Sequence, residues 1–451
     1  MRVISFGKLN KSLLFILLMS ISMVINQYLY GFTYIECFYK MNIYKSLYNA
    51  IIDKNKTDFP HHRLFDPLFS YVGVILLSLF IPKQKEKEEN IEENDEDDIT
   101  RMRAYSSITL APKLIHNGLK NYLQNKKGFI IFILILILWI IEENLILIYV
   151  DIFQDLDFWF FELIIISLIF SYYFSFKVYK HQKLAMALSI GVGSILKIYN
   201  ITISLISEEH KIYAKYPYVF SFIILYFLII TARSYVNTQI KVFMDLKFIS
   251  HRTLLMFYGV TGTILCLIIG LITTFFPCPN NYANETYVCK VKFEEKIYYD
   301  NMYSYYESYK NILVRLIIIV LGIVSFFSNK FFYTLIIKSF SPIHVIFSFP
   351  MQFFIEKTFL LIFTAIFFVN DLFKTKEQLK KFLLDISGDI ASIIGFLIYL
   401  EIIELNFCDL NFNLKKNIIS RSETDYKLSF RINEKLRKIS NDSGEDNDDD
   451  E

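Results

Sequence analysis

The chain has few charged residues for its length, and it is also poor in cysteine, proline and glycine. Asp, Glu, Lys and Arg make up 20% of its 451 residues, whereas 54% are hydrophobic; soluble domains carry about 25% charged residues. The net charge is only +2, which is too small for a nucleic-acid-binding surface. A mean hydropathy of +0.38 excludes a disordered scaffold. Because a soluble enzyme would not need so much apolar sequence, the composition indicates an integral membrane protein.

Sequence motifs of enzymes are absent as well. The chain has no Gly-rich phosphate loop, no Gly-x-Ser-x-Gly nucleophile motif and no His-Glu-x-x-His zinc motif. His61 and His62 form one adjacent pair, which alone is a weak signal for a metal. We therefore expect no enzymatic activity, no cofactor and no metal site.

Long apolar runs predict an all-α polytopic membrane protein. A transmembrane helix needs about 20 apolar residues to cross a hydrocarbon core roughly 30 Å thick. The first run follows Arg2, Lys8 and Lys11 and could be a signal peptide, but no small-residue cleavage site follows it, which favours a retained helix. The sequence predicts ten transmembrane helices, at 13–35, 66–82, 128–150, 157–178, 183–207, 216–236, 252–276, 312–338, 343–369 and 384–407.

Glycosylation sequons, cysteines and basic residues predict the sidedness of the loops. Sequons at Asn55 and Asn284 both follow odd-numbered spans. Cys278 and Cys289 bracket the second sequon, which indicates a disulfide bond in an oxidising lumen, with two free thiols as the alternative. Cytosolic basic regions are predicted at 179–182, 237–251 and 329–340, together with both termini. We expect cytosolic termini and an endomembrane location, such as the Golgi, endoplasmic reticulum or vacuole, rather than the plasma membrane.

Ten spans divide the chain into two halves of five. Residues 1–207 and 208–407 would then have opposite orientations, as in the inverted repeats of many secondary transporters. The first half includes an acidic cytosolic linker and a short interfacial helix within 83–127, and the second half includes the lumenal loop 277–311. Residues 408–451 are predicted to be a disordered cytosolic tail.

Polar residues inside the predicted spans are candidates for a solute site, because each is costly in a bilayer. Lys197 lies near the middle of the fifth span, and Ser194 and Asn200 share its helical face. Lys197 could offer a positive charge to an anionic group of a solute. The alternative is that Lys197 pairs with Glu142 or Glu143 and joins two helices.

The third and ninth spans carry further candidates. Glu142 and Asn144 interrupt the third span, and Gln352 and Glu356 lie one turn apart in the ninth. A carboxylate in either place could bind a proton or oppose a cation. The alternative for Glu356 is an internal pairing near Lys357.

Two other patterns are interpreted as structural. Gly262, Cys266 and Gly270 recur every four residues, which is typical of close helix packing in membranes. Asp385 and Asp389 open a polar stripe in the tenth span, and we interpret them as lying in the head-group layer.

Three stretches carry a resemblance to a known family. They are RSYVNTQIKVFMDLKFISHRTLLMFYGVTG (233–262), SFSPIHVIF (339–347) and GFLIYLEI (395–402). They resemble the junction of the sixth and seventh helices, the Ser-Pro start of the ninth helix and the last helix of the drug/metabolite transporter superfamily, in particular its nucleotide-sugar-transporter-like, solute-carrier-35-type branch. The resemblance covers about residues 128–407, and it implies ten helices with solute exchange or proton-coupled export.

The favoured function is therefore alternating-access transport of a small polar or anionic solute. Its expected partners are that solute and the lipid bilayer, without nucleic acid, and a homodimer is left open. The alternative is a multispanning receptor or assembly protein without transport activity. In that case the polar residues would pair internally and the loop 277–311 would bind a partner.

Overall fold

The described part of the chain is mostly helical. Apart from a few isolated positions, the computed structural model describes residues 4–6, 11–30, 64–81, 125–152, 159–174, 178–193, 219–247, 249–278, 291–294, 296–307, 312–367 and 376–412. The helices are α1 Lys11–Tyr30, α2 Phe65–Ser78, α3 Lys126–Ile152, α4 Trp159–Phe174, α5 Lys180–Leu188, α6 Val219–Asp245, α7 His251–Phe275, α8 Met302–Glu307, α9 Ile312–Ser339, α10 Pro342–Ile346, α11 Ser348–Phe367 and α12 Lys376–Tyr399. The strands are β1 Ile4–Phe6, β2 Val291–Phe293, β3 Lys296–Tyr298 and β4 Ile403–Leu405.

Four of these helices are long and apolar enough to cross a membrane. The qualifying segments are Lys126–Ile146, His251–Phe275, Ile319–Ser339 and Phe382–Tyr399. Three shorter apolar helical segments are Leu13–Ile25, Pro67–Ser78 and Phe161–Phe174. Large apolar side chains such as Leu168 and Ile268 are exposed on their outer faces, which suits contact with lipid. The helices thus agree with the predicted integral membrane protein, while the count of ten remains a prediction.

The eighth predicted span is one continuous helix. α9 passes through Ser328, Asn329 and Lys330 without a break, and the last two residues are buried. The predicted span 312–338 includes Lys330, but the sequence also assigned this residue to a cytosolic basic region, whereas the structure buries it in the bundle. This residue can lie inside the bundle because it has an acidic partner there.

The sixth predicted span is longer than the sequence suggested. α6 continues to Asp245, so most of the predicted loop 237–251 is helical. Lys241 is accommodated because its Nζ lies 2.9 Å from Asp245 Oδ2, one turn further on, and donates to the Lys338 carbonyl at 2.7 Å. α7 begins after Ser250, whose Oγ accepts the Thr253 N–H at 3.1 Å in an N-cap.

The last two predicted spans also end differently. The ninth is divided between α10 and α11 at Phe347. Pro350 has no N–H to donate to the Ile346 carbonyl, so the helical ladder is interrupted at that point. The tenth predicted span corresponds to α12, which ends at Tyr399 instead of residue 407, because Ile403–Leu405 forms a strand.

The two ends of the helical region lie together. β1 pairs antiparallel with β4, with Ile4 opposite Leu405 and Phe6 opposite Ile403. α1, which follows β1, and α12, which precedes β4, therefore meet the same end of the bundle.

α2 and α7 pack closely along the stripe of small residues. A Cβ atom at Gly259 would lie 2.9 Å from the Tyr71 carbonyl oxygen, and one at Gly262 would enter the Tyr71 ring. A Cβ atom at Gly270 would lie 3.0 Å from the Phe65 ring. The prediction that this stripe serves helix packing is confirmed.

A Gly262→Ala variant should therefore be less stable than the wild type. The added methyl group forces Tyr71 or α2 to move, and overpacking of this kind costs about 1–3 kcal/mol. Gly191→Ala is the matched control, because a Cβ atom at Gly191 meets nothing within 4 Å. Thermal unfolding in detergent should separate the two variants, and equal melting temperatures would contradict the described packing.

Residues after the β2–β3 hairpin cap the start of α2. Asp300 is fully buried, and its Oδ2 accepts the Leu64 N–H at 2.7 Å and the Phe65 N–H at 3.3 Å. A carboxylate at this position satisfies free amides and opposes the positive end of the helix dipole. The segment before α8 is thereby fixed to the end of the bundle.

We expect an Asp300→Asn variant to lose about 1–2 kcal/mol, because the amide keeps one acceptor but loses the charge. Glu294→Gln is the matched control, because Glu294 is exposed on the turn of the neighbouring hairpin. The melting temperature of the first variant should fall while that of the second stays at the wild-type value. An unchanged Asp300→Asn protein would show that the cap contributes nothing.

Candidate functional site

A bidentate ion pair lies in the interior of the bundle. Glu162 on α4 is fully buried, and Arg233 on α6 has only 12% of its side chain exposed. Arg233 Nε donates to Glu162 Oε1 at 2.8 Å, and Arg233 Nη2 donates to Glu162 Oε2. The planar guanidinium suits this two-point contact. Arg233 Cζ also lies 4.7 Å from the ring centroid of Phe349, so α4, α6 and α11 meet here.

A second ion pair joins α3 to α9. Lys330 Nζ donates to Glu143 Oε1. The Tyr258 hydroxyl on α7 donates to Glu143 Oε2 at 2.5 Å. Both carboxylate oxygens of Glu143 are thus used, and three helices are tied through one side chain.

Aromatic rings surround the Lys330 ammonium group. Its Nζ lies 5.2 Å from the ring centroid of Phe326, 5.6 Å from those of Tyr258 and Tyr333, and 5.7 Å from that of Trp139. Ring faces attract cations at such distances. We call these four residues the aromatic box. Within it the centroid of Trp139 lies 4.2 Å from that of Tyr258 and 5.7 Å from that of Tyr333.

Glu142 is the third acid of this region, and its position differs from the other two. It is 2% exposed, and neither carboxylate oxygen has a hydrogen-bond partner in the described part of the chain. It lies one helical turn from Trp139. The charged groups that act on it electrostatically are Arg233, Glu143, Glu162 and Lys330.

Three acids therefore share two bases. Glu162 is paired with Arg233 and Glu143 with Lys330, so Glu142 is left without a counter-ion among the described residues. Burying an isolated charge is costly. Such a centre either keeps Glu142 protonated or accepts one more positive charge. We call the five charged residues the charge centre.

Other polar atoms near the aromatic box have unused hydrogen-bonding capacity. The Tyr333 hydroxyl donates to Asn237 Oδ1. Within the described residues, Asn237 Nδ2, Trp139 Nε1 and Ser234 Oγ are buried without a hydrogen-bond partner. Native proteins leave few buried polar groups unsatisfied, and a group of them is typical of a site where water or a solute binds.

The structure brings only part of the predicted site to this centre. Glu142 belongs to it. Asn144 instead donates its Nδ2 to the Ile140 carbonyl of its own helix at 2.7 Å. Gln352 is buried on α11 one turn beyond Phe349, and Glu356 follows it in a half-buried position. Ser194, Lys197 and Asn200 lie outside the described residues, as do Asn55, Asn284 and Cys289.

A further internal ion pair involves the tenth predicted span. Lys357 Nζ on α11 donates to Asp389 Oδ2 on α12 at 2.7 Å, and Asp389 is fully buried. The predicted head-group location of Asp389 stays a prediction, and the structure adds that a lysine on the neighbouring helix supplies the counter-charge of this buried residue. The pair lies outside the charge centre as defined above.

Glu162, Arg233 and Lys330 were missing from the predicted site. Each is an ionisable residue inside a predicted span, and the insertion cost that selected Glu142 would have selected them too. Their pairing could not be predicted, because it depends on which helices are neighbours.

Comparison with known proteins adds no relative. No protein-family model matches the chain, and no curated protein is similar to it in sequence. Within the described residues, no three His, Cys, Asp or Glu side chains come together as metal ligands. Functional evidence therefore comes from the charge centre itself.

Proposed function

We propose that the protein is a multispanning membrane transporter that moves a small polar or anionic solute by alternating access, as the resemblance to the drug/metabolite transporter superfamily implies. The observation that carries the proposal is Glu142, a buried carboxylate without a hydrogen-bond partner among the described residues. Ionisable residues inside membrane helices are costly and mark solute or ion pathways. The proposed architecture has ten helices in two inverted halves, and both termini lie on the cytosolic side of an endomembrane.

The arrangement of the ends supports this topology. β1 and β4 lie side by side, which suits the even number of spans that we propose between them. Cys278, just after α7, donates its N–H to the Ile297 carbonyl at 2.8 Å, and β2 begins two residues after Cys289. Both cysteines therefore lead to the same hairpin, which suits the proposed disulfide bond in the lumen.

The proposed lumenal side is tested by glycosylation at Asn284. Protein from a glycosylating host should move faster on a gel after endoglycosidase treatment, and Asn284→Gln should reduce that shift. Asn200→Gln is the control, because Asn200 lies in a predicted span. A wild-type protein without any shift, or with Cys278 and Cys289 both alkylated before reduction, would contradict the lumenal assignment.

The transport activity is tested in two steps. Purified protein is first screened by thermal shift against nucleotide sugars, amino acids and organic cations. The solute with the largest shift is then supplied, radiolabelled, to proteoliposomes. Saturable uptake above protein-free liposomes is expected, whereas binding without uptake would favour a receptor.

A non-transporting receptor or assembly protein is the second candidate. It is favoured by the internal pairing of Glu162 with Arg233, Glu143 with Lys330 and Lys357 with Asp389. Such pairs can join helices without any role in transport. The unpartnered Glu142 is the feature that this candidate leaves unexplained.

A further inference from the structure

The Lys330 side chain shows which chemistry the aromatic box accepts. A primary ammonium group is held there by the Glu143 carboxylate and four ring faces. Rings favour an organic ammonium, whereas inorganic cations prefer a shell of oxygen ligands. The described residues place no three carboxylate, imidazole or thiol groups together for such a shell.

The charge centre also has one acidic group more than it has basic groups, so one further positive charge would balance it. Glu142 has no counter-ion among the described residues. The titratable groups that act on it are Glu143 from its own helix, Glu162 from α4, Arg233 from α6, and Lys330 and Tyr333 from α9. Arg233 is held by two contacts to Glu162. Lys330 is the cation on a flexible stem, and it acts on both Glu142 and Glu143.

We infer that the charge centre and the aromatic box form a binding site for a primary organic amine, in which the amine replaces Lys330 at Glu143 and Lys330 moves to Glu142. All three acids then have a cation: Glu162 has Arg233, Glu142 has Lys330 and Glu143 has the ligand. The inference deepens the proposed function and rests on it in treating the amine as the transported solute. The anionic alternative depends on Lys197, which lies outside the described residues.

Binding should release one proton. Without ligand, burial without a hydrogen bond favours the neutral form of the Glu142 carboxyl group. When the ammonium of Lys330 reaches Glu142, the carboxyl O–H bond breaks and its proton leaves to solvent, while the carboxylate pairs with Lys330. The positive charge of the incoming amine is thus exchanged for the charge of the released proton.

The probe is n-butylammonium, which reproduces the lysine side chain beyond Cα. Purified full-length protein in detergent is titrated with n-butylammonium chloride, and n-butanol and sodium butyrate serve as neutral and anionic controls at equal ionic strength. We expect a saturable rise in melting temperature with the ammonium only. In weakly buffered solution, a pH dye should report one proton released per amine bound, and none for Glu142→Gln.

Variants separate the site from general effects. Glu143→Gln should lose the response, whereas Lys183→Met, at an exposed position on α5 outside the charge centre, should keep it. Because Glu143→Gln could fail to fold, Lys330→Ala provides a second test. It empties the aromatic box of the lysine side chain beyond Cβ, and n-propylammonium, which matches that fragment, should raise the melting temperature of the variant more than that of the wild type.

Two results would overturn the inference: no response of the wild type to n-butylammonium, even if Lys330→Ala responds to n-propylammonium, or an equal response of the wild type to n-butanol. Amine binding without proton release would overturn the exchange of Lys330 between the two glutamates. Failure of the transporter proposal looks different. Amine binding without uptake refutes transport and leaves the site intact, whereas uptake of another solute without amine binding refutes the amine site alone.

Discussion

An Arg233→Met variant is expected to lose about 3–5 kcal/mol of stability, because it leaves the fully buried Glu162 carboxylate without its counter-ion. The melting temperature in detergent and the yield of monodisperse protein should both fall. Lys183→Met is the control, since Lys183 is exposed on α5 and surface substitutions usually stay within about 0.5 kcal/mol.

The companion substitution distinguishes a broken ion pair from lost packing. Adding Glu162→Gln to Arg233→Met removes the stranded charge, so most of the lost stability should return. If the double variant is as unstable as the single one, the loss comes from the contact of Arg233 with Phe349 or from the shape of the side chain. An Arg233→Met protein as stable as the wild type would contradict the described ion pair.

Glu142→Gln should lose transport but keep its stability, in contrast to Arg233→Met. The amide has nearly the shape of a protonated carboxyl group, and no ion pair is broken, so the stability should stay within about 1 kcal/mol of wild type. Glu162→Gln is the matched comparison, because it removes a carboxylate from the same centre but strands Arg233. A Glu142→Gln protein that is strongly destabilised would show that Glu142 has a structural partner.

The apolar helices and their packing stripe could be predicted from the sequence, because each depends on local composition. The predicted runs 128–150 and 252–276 overlap almost all of the long apolar segments of α3 and α7. The spacing of Gly262, Cys266 and Gly270 predicted close packing, since small residues that recur at each turn of a membrane helix let a neighbouring helix approach. The packing partner, α2, could not be identified from spacing.

The helix ends and the charge pairs depended on tertiary structure. Lys330 interrupts the predicted span 312–338 in sequence, yet it is buried in α9 because Glu143 from a distant part of the chain neutralises it. In the same way, Lys357 on α11 pairs with Asp389 on α12. The end of α12 is set by pairing with residues 4–6, which lie almost 400 positions away in the sequence. No local pattern carries that information.

Uptake into proteoliposomes that contain either the wild type or Glu142→Gln tests the central claim most directly. The labelled solute is the one that gives the largest thermal shift in the screen, and protein-free liposomes set the background. The buried, unpartnered carboxylate predicts saturable uptake by the wild type and uptake at background level by an equally stable Glu142→Gln protein. Equal uptake by the two proteins, or no uptake by the wild type, would contradict a solute pathway through the charge centre.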